Sequence, residues 1–251
     1  MEAVVFAAGL GTRLGDVTKD RPKALVEVAG RPLLAHVLTR LGAAGVTHAV
    51  VNVHHHADAI ARFAARWTAA PRITPSLERD RPLETGGGLA LARARLEQDG
   101  PLLLHNVDVL TPLDLRDVLA AHAAAPRAVA TLVTSSRSST RGLLFDDLGL
   151  LGRVDDVRGV DDRRRAPSGA VERRAFQGIS VVAREMLERL GPPRVASITE
   201  AWLGEAGAGH VIRSYDMDPT PWIDVGRPDD LARAERDAAR FIPRSGSRDP
   251  A

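Results

Sequence analysis

Cysteine is absent from all 251 residues, which excludes disulfides, thiolate metal sites and cysteine nucleophiles and fits a reducing compartment. Long apolar runs are absent too, and no stretch reaches the length that spans a bilayer, so no membrane partner is expected. The N-terminus opens on a strand-like segment instead of a basic segment and a cleavable apolar region, so nothing there signals export and the expected setting is cytoplasmic. Charge of one sign is not in excess: 34 basic residues face 32 acidic ones, with no polybasic tail or stripe, and no nucleic-acid partner is expected. Lysine is nearly missing. Only Lys19 and Lys23 occur, and the other 32 basic residues are arginine, so a lysine kept beside a glycine-rich turn stands out.

Several catalytic signatures are also missing. No Gly-Lys-Ser or Gly-Lys-Thr occurs, which excludes a P-loop, and no HExxH or Ser-His-Asp order is found. No internal repeat, heptad seam or dimer stripe is visible, so oligomeric state is unreadable.

What is present is alternation. Strands are expected near 3–8, 46–53, 72–77, 101–105 and 127–134, and helices near 32–44, 57–69, 87–97 and 113–124. Such alternation implies right-handed crossovers and an α/β, Rossmann-like, mainly parallel sheet flanked by helices, with ligands at the carboxyl ends of the strands. The second half changes character: 142–154 reads as a hairpin, 158–174 is rich in Arg, Asp and Gly, 175–182 is another apolar strand, and 227–240 is a closing helix. The expected organisation is one domain over 1–243, with a core of about 1–135 and 208–240, a smaller lid of about 136–207, and a frayed tail at 244–251.

Chemistry begins just past the first strand. Gly9 and Gly11 let backbone N–H groups approach anionic oxygens, and Thr12 adds a hydroxyl donor. A dinucleotide-binding turn starts the same way, but Leu14 stands where its third glycine belongs. Arg13 offers a planar fork for two phosphate oxygens, and Lys23, delivered from a stiff segment after Pro22, is a point charge suited to one. Two strands end in carboxylates, Asp108 and Asp224, a pair suited to Mg2+ completed by phosphate oxygens and water. Pro82 to Gly88, preceded by Glu78, opens a helix with three glycines that leave room for a flat ring. His54, His55 and His56 alternate sides if extended and cannot all hold one ion unaided.

The run from Gly9 to Lys23 matches the pattern GxGTRxxxxTxxxPK, and with Pro82 to Gly88, Asn106 to Asp108, Phe176 to Val181 and Trp222 to Gly226 the chain resembles the sugar-1-phosphate nucleotidyltransferase family. Within it, the chain looks most like the single-domain N-acetylmuramate-1-phosphate uridylyltransferases and mannose-1-phosphate guanylyltransferases. The resemblance implies the nucleotide-diphospho-sugar transferase type of fold and conversion of a nucleoside triphosphate and a sugar 1-phosphate to a nucleotide sugar and pyrophosphate. It implies Arg13, Lys23 and Asp108 as catalytic residues, and Gly11, Thr12 and Arg13 on the triphosphate. Backbone at Ala7, Ala8 and Gly9 would face the nucleoside, and Glu78, Thr85 and Gly86 would lie near the base. Asn106 and Gly178 would line the sugar pocket, and Asp108 and Asp224 would bind Mg2+.

Two features depart from the pattern. Thymidylyl-transferring relatives carry a second lysine in a Glu-Lys-Pro segment, whereas here no lysine follows position 23, so an arginine such as Arg153 or Arg158 is expected to substitute. Val107 stands where relatives often have glycine. No long C-terminal repeat is seen, so acetyltransferase activity is not expected. UTP with N-acetylmuramate 1-phosphate is the expected substrate pair, and GTP with mannose 1-phosphate is the alternative. CTP with phosphocholine is more distant. A catalytically silent nucleotide-sugar binding module stays open, while a nicotinamide-dependent dehydrogenase is disfavoured by Leu14 and Lys23.

Overall fold

Strand Glu2–Phe6 forms the axis of the molecule, running parallel to His48–Val53 on one side and to Leu102–Asn106 on the other. In the computed structural model, which describes residues 1–242, Arg72–Leu77 closes the first edge, parallel to His48–Val53. The expected tail at 244–251 lies outside the described residues. This parallel unit follows the sequence pattern because its strands are apolar on both faces, the mark of a sheet covered twice. Ala3 and Val5 pack with Val37, Leu38, Leu41, Ile60 and Val118 on one face. On the other, Val4 packs with Leu89, Met186 and Trp202.

Helix Leu33–Ala43 shows how sequence sets local structure. Its buried positions Leu34, Val37, Leu38 and Leu41 recur at helical spacing, Pro32 precedes its first turn, and Gly45 follows it at φ 85. Gly42 is needed for contact: a Cβ there would lie 2.6 Å from the Ala70 carbonyl oxygen.

Beyond Leu102–Asn106 the sheet changes direction. Strand Glu172–Val182 pairs antiparallel with Leu102–Asn106 through 179–182, and on its other side with Ala128–Ser135, which Val211–Asp216 joins in parallel. The first residues of that long strand run past the sheet and pair with Arg141–Asp146, which continues into Gly149–Asp155 and Val160–Arg163. The expected lid at 136–207 does not stand apart from the core, since Leu143, Phe145 and Leu150 of its hairpin are buried with Trp202 and Ile212. Residues 179–182 lie in the middle of the sheet, and helix Ile198–Gly207 buries Trp202 and Leu203 against it. An apolar strand in a lid and one in a sheet centre have the same composition, so partner order separates them and local pattern does not.

A third, smaller core of Leu14, Val26, Val28, Leu33, Leu110, Ile223, Val225, Ala234 and Phe241 sits under the site. It ties the loop after the first strand to strand Ile223–Asp224 and to helix Pro228–Arg236, which opens with Pro at its first turn. Among the described residues, no helix is long and apolar enough to cross a membrane.

Candidate active site

The glycine-rich loop is fixed from within. Gly11 is left-handed at φ 68 and starts the 3-10 segment Thr12–Thr18, and a Cβ on it would meet the Thr18 side chain at 3.0 Å. Thr18 Oγ1 donates to the carbonyls of Gly11 and Gly15 at 3.0 and 3.2 Å, and Leu14 N donates to the Gly11 carbonyl at 2.8 Å. Leu14 is 1% exposed, so this loop is anchored by burial of a leucine, an effect of about 1.5–3 kcal/mol. Thr12 and Arg13 stay exposed at the mouth, and nothing lies within 4 Å of a Cβ built on Gly9. The loop backbone is open to an approaching anion.

Lys23 begins the short 3-10 turn Lys23–Leu25 after the extended Pro22, and it is 7% exposed. Its Nζ donates to Asp108 Oδ2 at 2.5 Å and lies 3.7 Å from Asp224 Oδ1. The two aspartates, 116 positions apart in sequence numbering, meet because Val109–Leu110 and Ile223–Asp224 form a two-strand antiparallel ladder, extended by Val225 N donating to the Asp108 carbonyl at 2.9 Å. Arg13 reaches the same place. A Cβ on Gly226 would lie 3.1 Å from Asp224 Oδ1 and 3.2 Å from Arg13 Nη2, so glycine is what permits that approach. Burial, followed by the negative charge of Asp108, pushes the Asp224 carboxyl up to about 6, with Lys23 and Arg13 opposing.

Around Ala7 and Glu78, where the nucleoside was expected, a polar chain links four segments. Ala7 N donates to Asn52 Oδ1, Asn52 Nδ2 donates to Glu78 Oε1, and Leu83 N donates to Glu78 Oε2, all at 2.7 Å. Glu78 is 1% exposed and both its oxygens are engaged, so it is a strut under the pocket and not a free edge reader. Burial raises its pKa against these hydrogen bonds. Thr85 and Gly86 also face inward: Thr85 Oγ1 accepts from Ile198 N at 2.9 Å, and Gly86 N donates to the Ala196 carbonyl at 2.8 Å. The three glycines expected to admit a flat ring meet protein instead. Added Cβ atoms would lie 2.7 Å from the Ser197 oxygen at Gly86, 1.9 Å from the Arg194 oxygen at Gly87 and 2.4 Å from Asn52 Nδ2 at Gly88. Helix Glu84–Ala92 starts at an exposed Glu84 with φ 59, a strained conformation for a residue with a Cβ.

Asn106 and Gly178, expected at the sugar pocket, meet at a bend in the long strand. The φ of 78 at Gly178 and a register break between Phe176 and Ser180 bend the strand, and a Cβ there would meet Val109 at 2.7 Å and Asn106 Nδ2 at 3.0 Å. Asn106 is held by its neighbour: the buried His105 donates from Nδ1 to the Asn106 carbonyl at 2.7 Å. Burial and the nearby Arg40 charge hold that histidine down at about 4, so the ring is neutral. The preceding Gln177 is fully buried, its Nε2 donating to Ser135 Oγ at 2.6 Å and to the Ala175 carbonyl at 2.8 Å. Trp222 Nε1 donates to the Gln177 carbonyl at 2.8 Å. Arg137 rests on the Trp222 ring, 4.6 Å from its centroid, with Nε donating to Gln177 Oε1 at 3.2 Å.

Arg153 and Arg158, the expected substitutes for a second lysine, sit elsewhere. Arg153 lies on Gly149–Asp155, 3.8 Å from Asp162, and Arg158 is on the exposed turn beyond it, near Asp155. Sequence reading missed Arg137, Asn52 and Gln177, because each gains its role from a partner more than 25 residues away.

Asp108 and Asp224 suit a magnesium ion by the chemistry of their oxygens, and Asp224 Oδ1 is a buried carboxylate atom without a hydrogen-bond partner. Glu2, His48 and Glu97 also converge, but at the amino-terminal end of the parallel strands, away from Gly9 and Asp108. Their groups are engaged: Glu2 accepts from His48 and from Glu97 N and Gln98 N, His48 Nε2 meets Thr74, and Glu97 pairs with Arg72. Of the three consecutive histidines, His54 Nδ1 donates to the Glu78 carbonyl, while His56 precedes helix Ala57–Arg66 at φ 53.

A parallel sheet with a phosphate-accessible loop and two carboxylates at its strand ends defines a nucleotide-handling α/β protein. Residues 3–219 match the MobA-like NTP transferase domain, and the chain belongs to that family. It is 39% identical over 241 residues to an N-acetylmuramate alpha-1-phosphate uridylyltransferase from Caulobacter vibrioides, covering 93% of this chain and 95% of that one. It is 28% identical to a mannose-1-phosphate guanylyltransferase from Mycobacterium tuberculosis, covering 96% of this chain but 66% of the relative's length. In fold it is similar to a UDP-glucose pyrophosphorylase from Acinetobacter baumanii, with TM-score 0.76 and 17% identity over 97% of this chain and 94% of that one.

Proposed function

We propose that the protein transfers a nucleotidyl group from a nucleoside triphosphate to a sugar 1-phosphate, with UTP and N-acetylmuramate 1-phosphate as the pair. The observation that carries this reading is the meeting of Asp108 and Asp224 across Lys23, with Arg13 from the glycine loop reaching the same point. Similarity to the Caulobacter uridylyltransferase supports the substrate pair. An oxygen of the sugar phosphate attacks the α-phosphorus in line. The new P–O bond forms as the bond from that phosphorus to the α–β bridging oxygen breaks, and pyrophosphate leaves.

The nucleophile is already an anion, so no strong general base is required. The task of the protein is to bring two mutually repelling polyanions together and to neutralise shifting charge. Arg13 and the loop amides after Gly9 would hold the triphosphate, and Lys23 would follow the charge that develops on the phosphates. Asp108 and Asp224 would hold magnesium, which when bound neutralises phosphate charge.

The test is pyrophosphate release from UTP, GTP and CTP, each crossed with N-acetylmuramate 1-phosphate and mannose 1-phosphate, with and without magnesium. Release with the first pair in the presence of magnesium is expected, and Lys23→Ala and Asp108→Ala should each lower kcat by about 10²–10³-fold. Tight binding of nucleotide sugar with no release from any pair would mark a binding module and overturn the reading.

A further inference from the structure

We propose that Arg137 is the residue that grips the phosphate of the sugar 1-phosphate. This rests on the transferase reading and adds to it the cation of the second substrate. At the two carboxylates, Lys23 donates to Asp108 and lies 3.7 Å from Asp224, and its proposed work is on the reacting phosphates of the triphosphate. Arg13 comes from the loop that faces the triphosphate. The second polyanion therefore needs a cation of its own.

Arg137 is the arginine built for that use. Among the described residues it has no carboxylate within ion-pair distance, whereas Arg173 and Arg174, which line the same pocket of about 220 Å³, pair with Asp156 and with Glu172 and Asp216. Its guanidinium is fixed on two sides: the Trp222 ring lies against it, and Gln177 Oε1 takes its Nε–H. Both supports are rigid, because Gln177 is fully buried and doubly bonded through Nε2, and the Trp222 N–H is tied to the Gln177 carbonyl. Of its terminal nitrogens, Nη1 makes one long contact of 3.5 Å to the Ser138 carbonyl, and Nη2 has no partner among the described residues, so an arginine held by its Nε and one stacked face still presents its fork to an anion with less entropy left to lose.

Its position fits the geometry of the reaction. Gln177 adjoins Gly178, which touches Asn106, and Trp222 is two residues before Asp224. Arg137 is thus tied through Gln177 to the bend at Gly178 and through Trp222 to the segment that carries Asp224, whose charge acts on it.

The experiment compares wild type with Arg137→Gln, Arg137→Lys and Arg158→Gln, measuring KM for each substrate and kcat by pyrophosphate release, with thermal melts as a folding check. Arg137→Gln should raise KM for the sugar 1-phosphate about 10–100-fold while KM for the triphosphate changes by less than about twofold. Arg137→Lys, which keeps charge but loses the fork, should recover part of that loss, and Arg158→Gln should match wild type. Turnover by wild type with an unchanged sugar-phosphate KM in Arg137→Gln overturns the assignment and leaves the transferase reading standing. An equal rise in both KM values, or loss of melting in both Arg137 variants, overturns it as well by marking a structural role. No release by wild type from any pair overturns both.

Discussion

Asp224 concentrates the electrostatics of the site in one residue. Its carboxyl is held up to about 6 against an ordinary 3.8 by burial and by Asp108. Since the folded value lies above the unfolded one, the proton is bound more tightly in the folded state. The contribution of this group to stability is therefore fully present below about 3.8 and is lost as pH rises through about 6. Asp224→Asn should raise the melting temperature at neutral pH, remove that slope and abolish turnover, a site in which function is kept at the expense of stability. Carbon-detected NMR titration checks the cause: the Asp224 midpoint should move downward in Asp108→Asn, and an unmoved midpoint would leave burial as the sole origin. Lys23 supplies the companion lesson. In a chain whose other cations are nearly all arginine, a site 7% exposed between two carboxylates takes a compact ammonium, so Lys23→Arg is no conservative change.

At the scale of elements, helix Glu84–Ala92 shows how a motif is legible while its use is not. The run of glycines announced itself in sequence as a special backbone, but three glycines can admit a ligand or a neighbouring segment equally well. The neighbour here is the stretch around 194–197, distant in sequence, whose carbonyls crowd Gly86 and Gly87 and cap the helix start. Gly87→Ala should cost about 1–3 kcal/mol, lowering the melting temperature measurably, because a Cβ would lie 1.9 Å from the Arg194 oxygen. No change in melting would mean that the stretch yields freely. The meeting of the glycine loop with Lys23 and the two aspartates was legible because glycine, charge spacing and strand ends each carry local chemistry. Arg137, Asn52 and the inward turn of Glu78 were not, since each depends on a contact across the fold.

For the whole molecule, the parallel half was legible from alternation, and the boundary between core and lid was not. The reason is strand Glu172–Val182, whose last residues pair with Leu102–Asn106 in the centre of the sheet and whose first residues pair with Arg141–Asp146. Native-state hydrogen exchange should separate the two: amides of 179–182 should exchange only by global unfolding, and those of 156–159 and 164–170, in mostly exposed turns, by local opening. Uniform protection along both stretches would contradict that division. The same strand has a mechanical meaning. It passes without interruption from the hairpin to the middle of the sheet and bends at Gly178, against Asn106. The hairpin at its outer end is buried against Trp202 and Ile212 through Leu143, Phe145 and Leu150, so a single covalent beam joins that packing to Asn106, with a glycine at its one bend.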